Sequence, residues 1–520
     1  MRKLNDYCQE FFDRTTSSCC CAVDKKCLSV SLTRFLESGR KEDAFDVYFC
    51  FAEIFNIFGK GYNKNTKQLL ELICDYEMNA GVLVEKQRDH YVHSVYVFAM
   101  GLSVYVRSSK YRKLVIGSNV VEGDFLYRWG LSALFHDIGY PFEIVFEQIK
   151  SYTKGINDGG AYFPILTYKA LERFIITADG VNINERLASE INRRLGIEND
   201  IVLTKLNRLI EQSDEYIDHA YFGAVIMYRT LKAHTDSDVV NDVTASIMLH
   251  NSFLIHKLKG DFNRKISPTD YPLAFLLMFC DELQDFGREG FGKVSKHDNL
   301  AFTAEFDISD ATFKMNYIFD DNGEGKAQER VEVKKRKLSD FYDLHSLFSD
   351  AQIGYEIRQN HLPIAQHMSA NFFKNIQKIA MQIHSFYLED KRGEVVITEW
   401  DKLSLEYKLS NIEQAKSYAE KLDRYGYFYD DRNLHYAEVT VFTDKQIKVL
   451  ARDEHKRWMK EKREMGWTYA PIRDNEKRLH PCLLPYGKLP PKEQEKDKDA
   501  IRHLIQNLKL AEFKVYYISR

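Results

Sequence analysis

The sequence predicts a mainly α protein with a large helical bundle, then a small α+β middle region, then a small helical module at the C-terminus. Three observations predict this. From about residue 29 to 290 apolar residues recur three and four apart, the period of helices with one buried face. Near 300 the period drops to two in "LAFTAEFDI", "ATFKMNYIF" and "ERVEVKKRK", as on the half-buried strands of a small antiparallel sheet, with "DDNGEG" as a turn. From Asp444 onward the chain is helical and charged again, broken by the loop "APIRDNEKRLHPCLLPYGKLPP".

A chain of 520 residues is too long for one core, and dividing by roughly 150 suggests about three domains. The textures place an N-terminal helical extension over 1–80, the main bundle over 81–295, the α+β region over 296–440 and the last module over 441–520. Hydrophobic content of 44% with 29% charged residues is that of a globular protein, and only 10 prolines argue against long disordered linkers. A net charge of -3 gives no global signal for nucleic acid, so nucleic-acid binding is not expected; "RVEVKKRK" is expected as a solvated sheet face.

Taken in order, "AFDVYFCFAEIFNIF", "TKQLLELICDYEM", "LASEINRRLGI" and "YFGAVIMYRTLKAH" are the clearest amphipathic helices. The most apolar stretch, "YVHSVYVFAMGLSVYV" at 91–106, carries His93 and Ser94 and is shorter than the about 20 apolar residues of a membrane span, so a buried core helix is expected. The N-terminus lacks a signal-peptide pattern, so a cytoplasmic protein is expected. Nine cysteines without a secretion signal argue for thiols rather than a disulfide framework, and Cys19, Cys20, Cys21 and Cys27 lack a second pair at zinc spacing. After the sheet, "ANFFKNIQKIAMQIHSF" returns to helix, and "GEVVITEW" and "LHYAEVTVF" look strand-like.

"LSALFHDIGYPFE" places His136 and Asp137 at the end of an apolar helix, where a carboxylate needs a hydrogen bond, an ion pair or a metal. His93, one turn after His90, lies on the apolar helix upstream. His219 and His250 sit in apolar contexts downstream, and Asp281 in "FLLMFCDELQDFGR" lines up with Ala274 and Met278 on the face expected to be buried. Taken singly, each histidine fits a hydrogen-bonded core position. Together, several His and carboxylate side chains converging from different helices suit a divalent cation with positions left for water and substrate.

The order His93, His136–Asp137, Asp281 resembles the HD-domain superfamily of metal-dependent phosphohydrolases, over roughly residues 80–290. "HSVYVFAMG" looks like its first-histidine helix, "RWGLSALFHDIGYP" its doublet helix and "FLLMFCDELQDFGR" its final-aspartate helix. The resemblance implies an HD-type helical bundle, with His93, His136, Asp137 and Asp281 as ligands of a divalent metal: Mn, Mg, Fe, Co or Zn. It implies a nucleotide substrate, with His219 and His250 serving either catalysis or a second metal, and Asp218 orienting the catalytic histidine. "HDIGYPFE" departs from the cyclic-dinucleotide subclass named for Gly-Tyr-Pro, and lacks the Gly-His extension of typical deoxynucleotide triphosphohydrolases. A deoxynucleoside triphosphate is nevertheless the first substrate expected. An oligonucleotide phosphodiesterase and a non-catalytic nucleotide-binding regulator are the alternatives.

"EHKRWMKEKREMGWTY", "RDNEKRLHPCLLPY" and "LPPKEQEKDK" resemble the RyR domain, a small module repeated in ryanodine receptors and found singly in prokaryotic proteins. Its first helix should stop at Gly466, before Trp467, and a second should start near Pro491. The resemblance implies a small nucleotide-like regulatory ligand, in a defence or signalling context, met by Trp458, Trp467, Tyr469, Arg473 and Tyr486. Lys477 and Arg478 are further phosphate candidates, and core packing of the aromatics is the competing role. Assembly into a homo-oligomer is expected; membrane association is not.

Overall fold

The computed structural model describes residues 2–14, 22–57, 87–88, 90–118, 120, 124–143, 145–146, 173–211, 217–250, 265–287, 290–291, 301–319, 324–358, 370–390, 399–430 and 436–517. The chain is mainly helical and forms two compact units, one of Met1–Cys21 with Ser31–Ala365, the other of Ala22–Val30 with Gln366–Arg520. The division at 365/366 falls inside the stretch expected to be one middle region. No described helix is long and apolar enough to cross a membrane. "TKQLLELICDYEM", residues 393–398 of "GEVVITEW", Cys19, Cys20 and Cys21 lie outside the described residues.

The first unit contains α1 (Leu4–Arg14), α2 (Lys41–Ile54), α3 (His90–Arg107), α4 (Ser109–Gly117), α5 (Phe125–Phe135), α6 (Ile183–Leu195), α7 (Asn199–Glu211), α8 (His219–Leu231), α9 (Ser237–Leu249) and α10 (Pro272–Leu283). As its composition requires, α3 is buried from Tyr91 through Val106, and α1, α2, α5 and α10 pack around it. On the far side of α5, α9 packs against α5, α6, α8 and α10. The bundle thus gathers one end of α3, α5, α8, α9 and α10.

After α10 come β1 (Thr303–Ile308), β2 (Thr312–Phe319), α11 (Glu324–Phe341) and β3 (Asp350–Ile357). Two expectations are corrected here. The sheet is mixed: β1 pairs with β2 antiparallel, but β2 pairs with β3 in parallel, across the α11 crossover. "ERVEVKKRK" is helix, not strand, because Ala327, Val331 and Leu338, spaced four and seven apart, are its buried positions. Its basic face meets the end of α10: Lys334 and Lys337 each approach Glu282 at 3.1 Å.

The second unit contains α12 (Ala370–Asp390), α13 (Leu405–Lys416), β4 (Tyr427–Asp430), β5 (Ala437–Glu438), α14 (Asp444–Glu464), α15 (Pro491–Arg502) and β6 (Lys514–Tyr517). β6 is the central strand, antiparallel to β4 and β5. Among the described residues of "LHYAEVTVF", 436–442, Ala437–Glu438 forms the strand. Thr443 and Gln446 form a capping box on α14, and Gly466 follows its C-cap at φ 86, a conformation costly for any side chain. Behind α14, Glu454 is buried and bonded to both Lys421 and Arg457, which also pairs with Glu461 at 2.6 Å.

Candidate metal centre

Eight polar side chains meet at the gathered helix ends. α3 supplies His90 and His93. α5 ends at Phe135 with His136 as its C-cap, and the turn that follows carries Asp137. α8 begins at His219, α9 ends at His250, and the last turn of α10 supplies Asp281, with Gln284 at its cap. The turn lies against α8 because residue 139 is glycine: a Cβ there would sit 2.1 Å from the His219 carbonyl oxygen and 2.5 Å from the Gly223 nitrogen. That close approach sets Asp137 opposite His219.

His136 and His250 are held alike. In His136, Nδ1 lies 2.8 Å from the Ala133 carbonyl, and in His250 Nδ1 lies 2.5 Å from the Ile247 carbonyl. A carbonyl only accepts, so Nδ1 carries the proton in both rings and Nε2 is turned inward. Both Nε2 atoms are buried without a hydrogen-bond partner. They face Asp137, at 3.4 Å from Oδ2 for His136 and 3.7 Å from Oδ1 for His250. His93 is held between Gln284 Oε1, 2.5 Å from Nδ1, and Asp281 Oδ1, 2.8 Å from Nε2. Gln284 is itself fixed by donating to the Phe286 carbonyl at 2.6 Å.

Three of the surrounding positions were not legible in the sequence. His90, passed over in favour of His93, places Nδ1 2.8 Å from Asp137 Oδ2, and its ring lies 3.7 Å from that of Tyr140. Glu143 Oε2 lies 2.5 Å from His219 Nδ1, while His219 Nε2 faces Asp137 Oδ1 at 3.7 Å. Gln284 is the third. Asp218, expected to orient the histidine, accepts instead from the Tyr221 backbone N–H at 2.9 Å and caps α8. The partner of His219 is Glu143.

The electrostatics follow from this crowding. Burial disfavours charge on Asp137, but His136, His90 and His250 outweigh it and hold the carboxyl well below the usual carboxylate range. Asp281 is held low against burial by His136 and His93. In turn, burial opposes protonation of His136, yet Asp137 and Asp281 raise its pKa above the ordinary 6.5. Desolvation opposes protonation of half-buried His219, but its bond to Glu143 pushes it up to about 10.

The donor set fits a divalent cation. His93, His136 and Asp281 each offer a ligand atom within 4.8 Å of the others, and so do His136, Asp137 and His250. Two inward, partnerless Nε2 atoms beside two carboxylates are a costly arrangement for a core that holds nothing, and imidazole with carboxylate suits the borderline first-row metals. His136 belongs to both clusters. Asp281 keeps 29% of its side chain accessible, so the centre is open on that side.

In the second unit the expected ligand-binding side chains divide between core and surface. Trp467 is buried and donates from Nε1 to Glu406 Oε1 at 2.7 Å; Tyr486 is buried, and Trp458 half-buried, with its ring 5.0 Å from His480. Tyr469 is half exposed, and Arg473 bonds Asn475 and the Tyr407 hydroxyl. Lys477 pairs with Asp474, and Arg478 donates to the Met465 carbonyl at the end of α14. Cys27 is buried, which pushes its thiol up to about 12. Residues 433–517 match the RyR domain model, so the C-terminal part of the chain carries an RyR domain that takes in β5 and β6 as well as the helices.

Proposed function

We propose that the chain is an HD-type metal-dependent phosphohydrolase of nucleotides, with a deoxynucleoside triphosphate as its substrate and the RyR domain as the receptor of a small nucleotide-like ligand that regulates it. The observation that carries this is the convergence of His93, His136 and Asp281, and of His136, Asp137 and His250, at one end of the bundle, with two inward imidazole nitrogens left without hydrogen-bond partners. Those four residues would hold the cation, which when bound supplies Lewis-acid polarisation of a phosphoryl oxygen and activation of water. The chain's own groups do the rest. His90 and Gln284 orient Asp137 and His93. Glu143 fixes His219 with a proton available at Nε2, on the side facing Asp137. Water attacks the α-phosphorus as the bond from phosphorus to O5′ breaks; His219 protonates the departing O5′ and regains the proton that the attacking water loses, giving deoxynucleoside and tripolyphosphate.

A second cluster, His136, Asp137 and His250, with His219 beside it, favours an oligonucleotide phosphodiesterase as the alternative, since two cations could clamp both oxygens of an in-line displacement. The test is incubation of metal-free protein with each nucleoside triphosphate and with short oligonucleotides, plus manganese or magnesium, alongside Asp137→Ala. Deoxynucleoside and tripolyphosphate, absent in the variant, support the first function; shortened oligonucleotides support the second. No product from any substrate refutes both and leaves a nucleotide-binding regulator.

A further inference from the structure

The two helices that deliver the partnerless histidines share one spacing. In α5, Arg128, Ser132 and His136 follow at intervals of four; in α9, Asp242, Ser246 and His250 do the same. A residue eight positions back lies about 12 Å along the helix, on the same ridge of side chains. At that distance the helices are tied: Arg128 Nη1 lies 3.0 Å from Asp242 Oδ2, both residues buried, while at the other end the rings of His136 and His250 lie 4.9 Å apart. Between the ends, both serines are fully buried. The helices therefore run in the same direction with no axial offset.

The tie is braced on its far side. Arg194 of α6 lies 3.0 Å from the second oxygen of Asp242 and 3.0 Å from Glu190, and its guanidinium stands over the Tyr271 ring at 4.9 Å. Asp242 thus accepts from two helices at once, and its carboxylate is fixed in rotation as well as position.

We propose that the Arg128–Asp242 pair is a register clamp for the metal centre: a positioning device that sets the separation of the His136 and His250 Nε2 atoms around Asp137. One residue of slip between α5 and α9 would move one imidazole about 1.5 Å past the other, whereas ligand distances to a cation tolerate about 0.2 Å. For its function, though not for its geometry, the clamp rests on the second cluster, His136, Asp137 and His250, holding a cation.

The test compares wild type with Arg128→Met/Asp242→Leu, an apolar pair of similar shape that leaves Arg194 with Glu190. Two controls are Arg128→Lys, which restores a cation, and Leu206→Ala, a buried change in α7, the helix packed chiefly on α6, that lowers stability. Histidine ring resonances of the metal-free protein are read first, then the Co2+ titration. The clamp predicts that the apolar pair shifts the His136 and His250 resonances and weakens Co2+ binding by about tenfold or more, that Arg128→Lys recovers most of the affinity, and that Leu206→Ala changes neither readout. Should the apolar pair fail to fold, Asp242→Asn is read the same way and is expected to shift the same resonances. Unchanged resonances and affinity in the pair variant, or equal changes in Leu206→Ala, overturn the clamp. If wild type binds no Co2+, the metal assignment fails, and the metal-free resonances alone decide the clamp.

Discussion

Replacing Gly139 with alanine should damage the centre from a residue that is not itself a ligand. The added Cβ would stand 2.1 Å from the His219 carbonyl oxygen and 2.5 Å from the Gly223 nitrogen, both backbone atoms that no rotamer change can move. An ordinary contact begins near 3.4 Å, so the turn and the start of α8 must separate by more than 1 Å. Overpacking of this kind costs about 1–3 kcal/mol, and rigid neighbours on both sides place it near the top of that range, about 3 kcal/mol. The same displacement carries Asp137 away from His219 and His250 by several times the tolerance of a metal ligand. Urea unfolding of the full chain should therefore lose about 3 kcal/mol in the transition of the first unit, and a Co2+ titration should weaken by tenfold or more. A Gly139→Ala protein with wild-type unfolding and wild-type Co2+ affinity would refute the close-approach explanation of this glycine.

Other consequences follow from the same geometry. Because Asp137 and Asp281 raise the His136 pKa above 6.5, an incoming cation must displace a proton, so Mn2+ affinity should rise with pH from 6 to 8, with proton release measurable in weakly buffered titrations. By the same sign, the stability that protonated His136 gives the metal-free protein is fully present below 6.5 and is lost as pH climbs through its raised value. Glu143→Gln should slow hydrolysis by about a hundredfold, whereas Asp218→Asn, which keeps the cap of α8, should leave turnover and melting temperature near wild type; steady-state rates and thermal melts check both. In the second unit, Glu454→Gln removes the carboxylate bonded to buried Lys421, while Arg457 keeps Glu461, and should cost about 3 kcal/mol by denaturant unfolding. Burial works against its charge, but Arg457 and Lys421 hold Glu454 at about 2, so its contribution is present above 4.5 and disappears as pH falls toward 2.

Much of the first unit was legible because its helices are long and apolar. The face of α3, the doublet at the end of α5 and the burial of His136 all follow from period and composition. Glu143 was not legible: it lies beyond Pro141 in a segment with no helical period, and only the Gly139 contact with α8 aims it at His219. His90 and His93 are one turn apart, so sequence spacing cannot show that one meets Asp137 and the other Asp281. The α11 helix was misread because Val331 and Val333 alternate with charges, although Ala327, Val331 and Leu338 already kept a helical period. The parallel pairing of β2 with β3 depends on that helix and failed with it. In the RyR domain, Gly466 and Pro491 marked their helix ends, because backbone preference there needs no tertiary partner. Trp467 was harder to place, since its bond to Glu406 joins residues 61 apart.

The most direct measurement is the metal stoichiometry of the purified full chain, by calorimetric titration of metal-free protein with Mn2+ or Co2+, with Asp137→Asn and His136→Gln in parallel. At least one equivalent bound by wild type and lost in both variants, with their melting temperatures retained, is the expected result. Wild type that binds no cation, or variants that bind it as well as wild type, would contradict the assignment of His93, His136, Asp137 and Asp281 as the metal centre.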